Sequence, residues 1–380
     1  MSINFKKISK LCKVFDIKYP IIQAGMSGPS TPDLVAAVSN AGGIGILGSD
    51  SFTPEELLEK IKTIRKLTKN PFGINVLLVK STSQTDIKQY EESQQFLNKI
   101  RNEIGIQESS RFKKAIPILS DNSASNDIEE KIKIMIEERI PLFSFGLGDA
   151  SPYIKKIQSY SNSKIMSMVT TVDEAIQIAN DGVDIIVAQG GEAGGHRSSI
   201  TNNFDSDIPL IGTMALVPQV ADALQKIQKD KKVMTIAAGG IIDGRGVVAA
   251  LCLGASGVSM GTRFLLSKES LVFQGYKDKL LGSKETDTVI TDVYSGMPAR
   301  SIKNDFIKKY QSSESAILPW PLQWLSAQDI YEYSSSHNIA DYYPILAGQA
   351  VRLLKQDQSA SDIIKEIINE ANDVTSFISQ

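Results

Sequence analysis

A chain of 380 residues, 42% of them hydrophobic, can bury a substantial core as one barrel with an extension or as two or three domains. Its 41 basic and 43 acidic residues are well mixed and leave a formal net charge of -2, which gives no footprint for nucleic acid or another polyanion. Two cysteines, Cys12 and Cys252, each beside apolar residues, suit buried thiols in a reducing compartment, and two histidines are too few for a Cys/His metal cluster, so no metal is expected.

From Tyr19 onward, short β-prone runs alternate with amphipathic stretches, the pattern of βαβ units around a parallel sheet. Candidate strands span residues 20–26, 44–48, 72–79, 141–147, 164–170, 184–189, 233–238 and 257–264. Candidate helices between them span 32–40, 54–67, 90–104, 152–160, 172–180, 213–227, 245–253 and 270–281. Thr53 ahead of Pro54, Glu55 and Glu56 is a helix start, with a hydroxyl cap, a proline and acids in the first turn. The polar stretch 81–139 lacks a strong strand and reads as a helical excursion with an ordinary solvated face.

After about residue 290 the rhythm stops. The segment ILPWPLQWL, with both tryptophans and two prolines, cannot be helical throughout, and either packs on the barrel or caps its mouth. Helical spacing returns over 345–379. The expected fold class is α/β, a (β/α)8 TIM barrel (1–290) with a cap segment (291–344) and a C-terminal helix packing on the barrel (345–380). No apolar run approaches the roughly 20 residues that span a bilayer, and the N-terminus lacks a signal-peptide apolar core and cleavage site. The expectation is a cytoplasmic protein without membrane association, monomer or homodimer.

In such a barrel, functional groups lie at the C-terminal strand ends, and phosphate sites form at the turns after the last two strands. The seventh candidate strand runs into Gly239 and Gly240, and the eighth into Ser259, Met260, Gly261 and Thr262. A glycine lets its N–H approach an anion closely, and two such turns on adjacent strands favour a phosphate-bearing ligand over plain tight turns. Gly42 and Gly43 follow a helix, and a C-terminal cap explains them.

The most informative loop is AQGGEAGGHR after the sixth strand. Four glycines within six positions, Gly190, Gly191, Gly194 and Gly195, make a pliant backbone, and Gln189 can bond the edge of a heterocycle. His196 beside them can donate to a substrate oxyanion or move a proton near neutral pH. Arg197 reads equally as an exposed salt bridge or an anion contact, and His337 as a solvated loop residue. At the first strand's exit, Ala24, Gly25 and Met26 could cover a flat ring without a clash. Asn75, an amide in an apolar strand, needs a partner from the backbone or from a ligand.

The motifs YPIIQAGM, AGGIGILG, PFGINV, AQGGEAGGHR, AAGGIIDGRG and GVSMGTRFL, with PWPLQWLS and AGQAVRL near the end, resemble those of the nitronate monooxygenases, formerly 2-nitropropane dioxygenases, over nearly the entire chain. The resemblance implies an FMN-binding barrel whose matching cofactor positions are Asn75, Gln189, Gly194, Gly239, Gly240 and Ser259 through Thr262, with His196 as the active-site histidine. Gly195 adjoins that set. Ser259 departs from the glutamine often found there. The implied reaction oxidises an alkyl nitronate such as propionate 3-nitronate with dioxygen, giving an aldehyde or keto product and nitrite or nitrate. Enoyl-acyl-carrier-protein reductases and NAD(P)H:quinone reductases share most of these motifs. The enoyl reductases typically carry glutamate at the position of Gln189 and lack a PWPLQ-like element. A non-catalytic barrel that binds a phosphorylated ligand is a further alternative.

Overall fold

Strands buried on both faces read as unbroken apolar runs, and here every residue of the strands β2 (Ile44–Gly48), β4 (Leu142–Gly146), β6 (Ile185–Gln189) and β8 (Met234–Ala238) is buried. In a computed structural model, which describes residues 3–79, 87–106, 123–201, 208–227 and 232–380, these join β1 (Ile21–Gln23), β3 (Phe72–Leu77), β5 (Lys164–Val169) and β9 (Gly257–Met260). The eight strands close into one parallel barrel in the order β1-β2-β3-β4-β5-β6-β8-β9. Register across the seam pairs Ile22 with Ser259 and Gln23 with Met260. The fold is the (β/α)8 barrel that the alternating pattern predicts.

Element boundaries follow local chemistry. The helix Pro54–Leu67 starts with a complete capping box, Thr53 Oγ1 accepting from Glu56 N and Glu56 Oε2 from Thr53 N. Gly42 ends the helix Pro32–Asn40 at φ 99°, as a cap. Three strands stop two or more residues earlier than the sequence suggests. β1 ends at Gln23, β3 at Leu77, and β9 at Met260, where Thr262–Leu265 turns at once into a short helix.

A second, three-stranded antiparallel sheet has the order β10-β11-β7, with β10 at Thr288–Thr291, β11 at Ala299–Ile302 and β7 at Gly195–His196. It joins the glycine loop of the barrel to the later chain. Beside it lies a separate core of Val293, Tyr294, Phe306, Ile307, Tyr310, Ile330 and Tyr331, which also takes in Leu97 and Ile100. Those two belong to the helix Ile87–Ile104, so the expected solvated face of the 81–139 excursion is corrected: one face of this helix is buried. Arg101, 2% exposed, fixes it there by donating from Nε and Nη2 to the two carboxylate oxygens of Asp329 at 2.8 and 3.0 Å. Residues 81–86 and 107–122 of that excursion lie outside the described residues.

The proline-rich segment gives way to the helix Leu322–Ser336, and Gln323 Nε2 donates to Val293 O and Tyr310 Oη, so the segment packs beside the second sheet. Helix does not resume at residue 345. Residues 345–359 form a strap containing one 3-10 turn, and the last helix is Ala360–Ile378. Its Ile363, Ile364 and Ile367 join the barrel core. Cys12 is buried as expected, but Cys252, at the end of the helix Gly244–Cys252, is exposed, since its apolar neighbours and not its own side chain face inward. No helix among the described residues is long and apolar enough to cross a membrane.

The last helix reaches the barrel by backbone contact at Gly244, where an added Cβ would lie 2.1 Å from Ala371 N, and Glu370 Oε2 accepts from Gly244 N at 2.9 Å. Gly244→Val is therefore expected to push the helix off its seat and destabilise the fold by about 2–3 kcal/mol or more. Thermal unfolding measures this, and an unchanged Tm would refute the contact.

Candidate functional site

The loop after β6 must run close to its neighbours, which explains its glycines. A Cβ on Gly190 would sit 1.9 Å from Thr213 Oγ1, and one on Gly194 would sit 2.5 Å from the carbonyl carbon of Ala347 in the strap. Gln189, 6% exposed, then clamps the loop: Nε2 donates to His196 O at 3.0 Å and Oε1 accepts from Ser198 N at 3.0 Å. Both ends of the amide are engaged by loop backbone, so only the second amide hydrogen and remaining lone pair could meet a ring edge.

Two buried guanidinium groups satisfy the carbonyls of the same loop. Arg197 donates to Gly190 O and Gln189 O at 2.8 and 3.0 Å, and Arg300 donates from Nε and Nη2 to Gly191 O at 3.0 and 2.7 Å. Burial, reinforced by the nearby Arg300, pushes Arg197 down to about 10. At 1% exposure Arg197 is not an exposed salt bridge, which corrects that reading, while its Nε makes no hydrogen bond among the described residues. Glu174 fastens the end of the loop, accepting from Ser199 Oγ and Ile200 N with one oxygen and from Thr170 N with the other.

His196 is thereby held in β7, opposite Ala299 of β11. Its Nε2 lies 2.8 Å from Ser295 Oγ, while Nδ1 makes no hydrogen bond among the described residues. Burial pushes the imidazole down to about 4 from its ordinary 6.5, so the ring is neutral at pH 7. His337, by contrast, is an exposed residue stacked on Tyr333 at the end of the helix Leu322–Ser336.

The phosphate-prone turns leave donors uncommitted. The backbone N–H groups of Gly194, Gly239, Gly240 and Gly261 donate to no acceptor among the described residues. A Cβ at Gly261 would meet nothing nearer than Met26 Sδ at 3.6 Å and Ala24 Cβ at 3.9 Å, so Ala24, Met26 and Gly261 border one open space. Gly25 packs against Asn75, whose Cβ lies 2.6 Å from the site of an added methyl group. Asn75 Oδ1 accepts from Ser144 Oγ at 2.8 Å, while its Nδ2 has no partner among the described residues. Ser259, 6% exposed, likewise has an unpartnered hydroxyl among those residues. Met260 differs, because its side chain is buried in the core and its carbonyl already accepts from Ala24 N at 3.0 Å.

The strap ties these turns to the glycine loop. Gly348 N donates to Thr262 Oγ1 at 3.0 Å, and Gln349 N donates to Glu192 O at 2.9 Å. Sequence reading overlooked Ser144, Ser295, Arg300 and Gly348. The AGQAVRL motif held a signal for Gly348, and the Ser-Gly pair at 295–296, inside a turn, held one for Ser295.

The sequence pattern of the nitronate monooxygenase family matches residues 8–370. A probable nitronate monooxygenase of Staphylococcus saprophyticus is 36% identical over 369 residues, covering 97% of this chain and 99% of that protein. Among solved structures, a nitroalkane oxidase from Streptomyces ansochromogenes is 26% identical with a TM-score of 0.82, covering 97% of this chain and 99% of its own. FabK from Thermotoga maritima is 28% identical with a TM-score of 0.74, covering 98% of each chain. A family pattern that takes in both the barrel and the strap, together with relatives similar from end to end, makes this chain a member of the nitronate monooxygenase family.

Proposed function

We propose that the protein is an FMN-dependent nitronate monooxygenase that detoxifies alkyl nitronates such as propionate 3-nitronate, using dioxygen to form an aldehyde or keto product with nitrite or nitrate. The observation that carries this reading is the pairing of uncommitted N–H donors at two adjacent strand ends with a neutral, rigidly held histidine in the neighbouring loop. Free donors at Gly239, Gly240 and Gly261 suit a phosphate, and the opening bordered by Ala24, Met26 and Gly261 leaves room for it. Asn75 Nδ2 and Ser259 Oγ, unpartnered among the described residues, are polar atoms suited to a polar ring edge. The residues present therefore fit the group. Bound FMN would supply the electron acceptor for the nitronate and the electron donor for dioxygen.

The protein's share is binding and orientation. A nitronate is already deprotonated, so no base has to remove a carbon-bound proton, and a neutral imidazole serves as a hydrogen-bond donor to a nitronate oxygen. Gln189 and β11 hold the backbone of His196, so the ring is placed before substrate arrives. The similarity to FabK favours one second reading, an NAD(P)H-dependent flavin reductase of the enoyl or quinone type.

Gly261→Val is expected to remove most bound flavin, because a branched side chain would fill the opening beside Met26. Visible absorbance of the purified variant measures this, and full flavin content would clear the turn of that role.

For His196→Asn the expectation is normal flavin content with nitronate-dependent oxygen uptake reduced on the order of a hundredfold. The same variant tests the imidazole's burial. The unfolded ring takes a proton near 6.5 and the folded ring only near 4, so in that window the unfolded state binds more protons and wild-type stability falls as pH drops. Denaturant titrations should show a shallower loss in the variant. Normal oxygen uptake would remove His196 from the reaction, and parallel stability profiles would contradict its neutral state in the folded protein.

A further inference from the structure

His196 is neutral and so carries a single ring proton, and the nitrogen that holds it decides whether the open face of the ring is a donor or an acceptor. The hydrogen-bond geometry around Ser295 favours one of the two. Ser295 is 1% exposed and sits in a turn where its own N–H and that of Gly296 both donate to Asp292 O, at 3.2 and 2.7 Å. Gly296 has φ 78°, and a Cβ there would meet Leu318 O at 2.2 Å, so the turn is pinned beneath the proline-rich segment.

Ser295 Oγ accepts from Met297 N at 3.3 Å, and this N–H can only donate. The single hydroxyl proton then has two acceptors within reach, His196 Nε2 at 2.8 Å and Met297 O at 3.3 Å. Hydroxyl donors prefer heavy-atom separations of about 2.5–3.0 Å, so the hydroxyl makes its better bond to Nε2, whereas a donating Nε2–H would leave it only the longer one to Met297 O. With Nε2 accepting, the ring proton lies on Nδ1, the nitrogen that has no partner among the described residues.

We infer that Ser295 is a positioning residue which locks His196 in its Nδ1–H tautomer, so that the ring offers a hydrogen-bond donor to an anionic substrate oxygen. The substrate half of this statement rests on the nitronate reading. The opposite tautomer would turn a lone pair toward the anion and repel it, and it would suit removal of a proton from a neutral nitroalkane. A serine hydroxyl thereby selects which of two related substrates the histidine is built to meet, as an orienting partner does for other catalytic imidazoles.

The chain has two histidines, so ring-nitrogen NMR of the flavin-loaded, full-length protein labelled with 15N-histidine shows two imidazoles, and His337→Gln assigns them. The expected result is a protonated Nδ1 and an accepting Nε2 for His196; a protonated Nε2 overturns the inference. Ser295→Ala should shift the ring toward the Nε2–H form and lower nitronate turnover roughly a hundredfold at unchanged flavin content. Ser295→Thr should restore the tautomer and most of the turnover. An alanine variant that keeps the Nδ1–H form, or keeps its turnover, also overturns it. The tautomer is read without substrate, so an Nδ1–H ring in a protein that oxidises no nitronate would sink the nitronate reading and leave the serine's role standing.

Discussion

The glycine loop after β6 must be pliant enough to bring backbone against its neighbours and yet hold one imidazole still, and the Gln189 amide reconciles the two. A run of glycines left alone would sample many conformations, at an entropic cost to any ligand that needs one of them. Gln189 stands at the end of a fully buried strand and grips the loop at His196 O and Ser198 N, so the rigidity of the barrel passes to the histidine. Arg197, Arg300 and Glu174 complete the work by bonding loop groups that would otherwise be buried without partners.

The second sheet extends the same logic. β7 contributes Gly195 and His196 alone, and its partner β11 comes from a segment about one hundred residues later, as the pairing of Ala299 with His196 shows. The histidine therefore stands where two separately packed cores meet. One is the barrel, and the other is the aromatic cluster around Tyr294 and Tyr331, to which Leu97 and Ile100 also belong. The strap at Gly348 and Gln349 adds a third tie, running from the turn after β9 to the loop that carries His196. Variants far along the chain can thus disturb a site made chiefly of barrel residues.

Much of this was legible in the sequence, for physical reasons. Doubly buried parallel strands such as Ile185–Gln189 appear as short apolar runs, and Thr53 with Glu56 marks a helix start by chemistry local to four residues. Gly239, Gly240 and Gly261 stood out because turns at strand ends call for glycine. What escaped notice depends on distant partners. A two-residue strand has no periodicity, Ser295 means little until His196 lies 2.8 Å away, and Arg197 looks like any surface arginine until the carbonyls of Gln189 and Gly190 turn toward it. The apolar spacing of Leu97 and Ile100 was there to read, but the surrounding charge masked it.

As proposed, this family member oxidises nitronates through a flavin and is not a nicotinamide-dependent reductase. Anaerobic mixing of the FMN-loaded protein with propionate 3-nitronate, NADH, NADPH and an enoyl thioester, each separately and followed by visible absorbance, tests it most directly. The account predicts that the nitronate alone bleaches the flavin rapidly. Bleaching by NADH or NADPH with no response to the nitronate would contradict it.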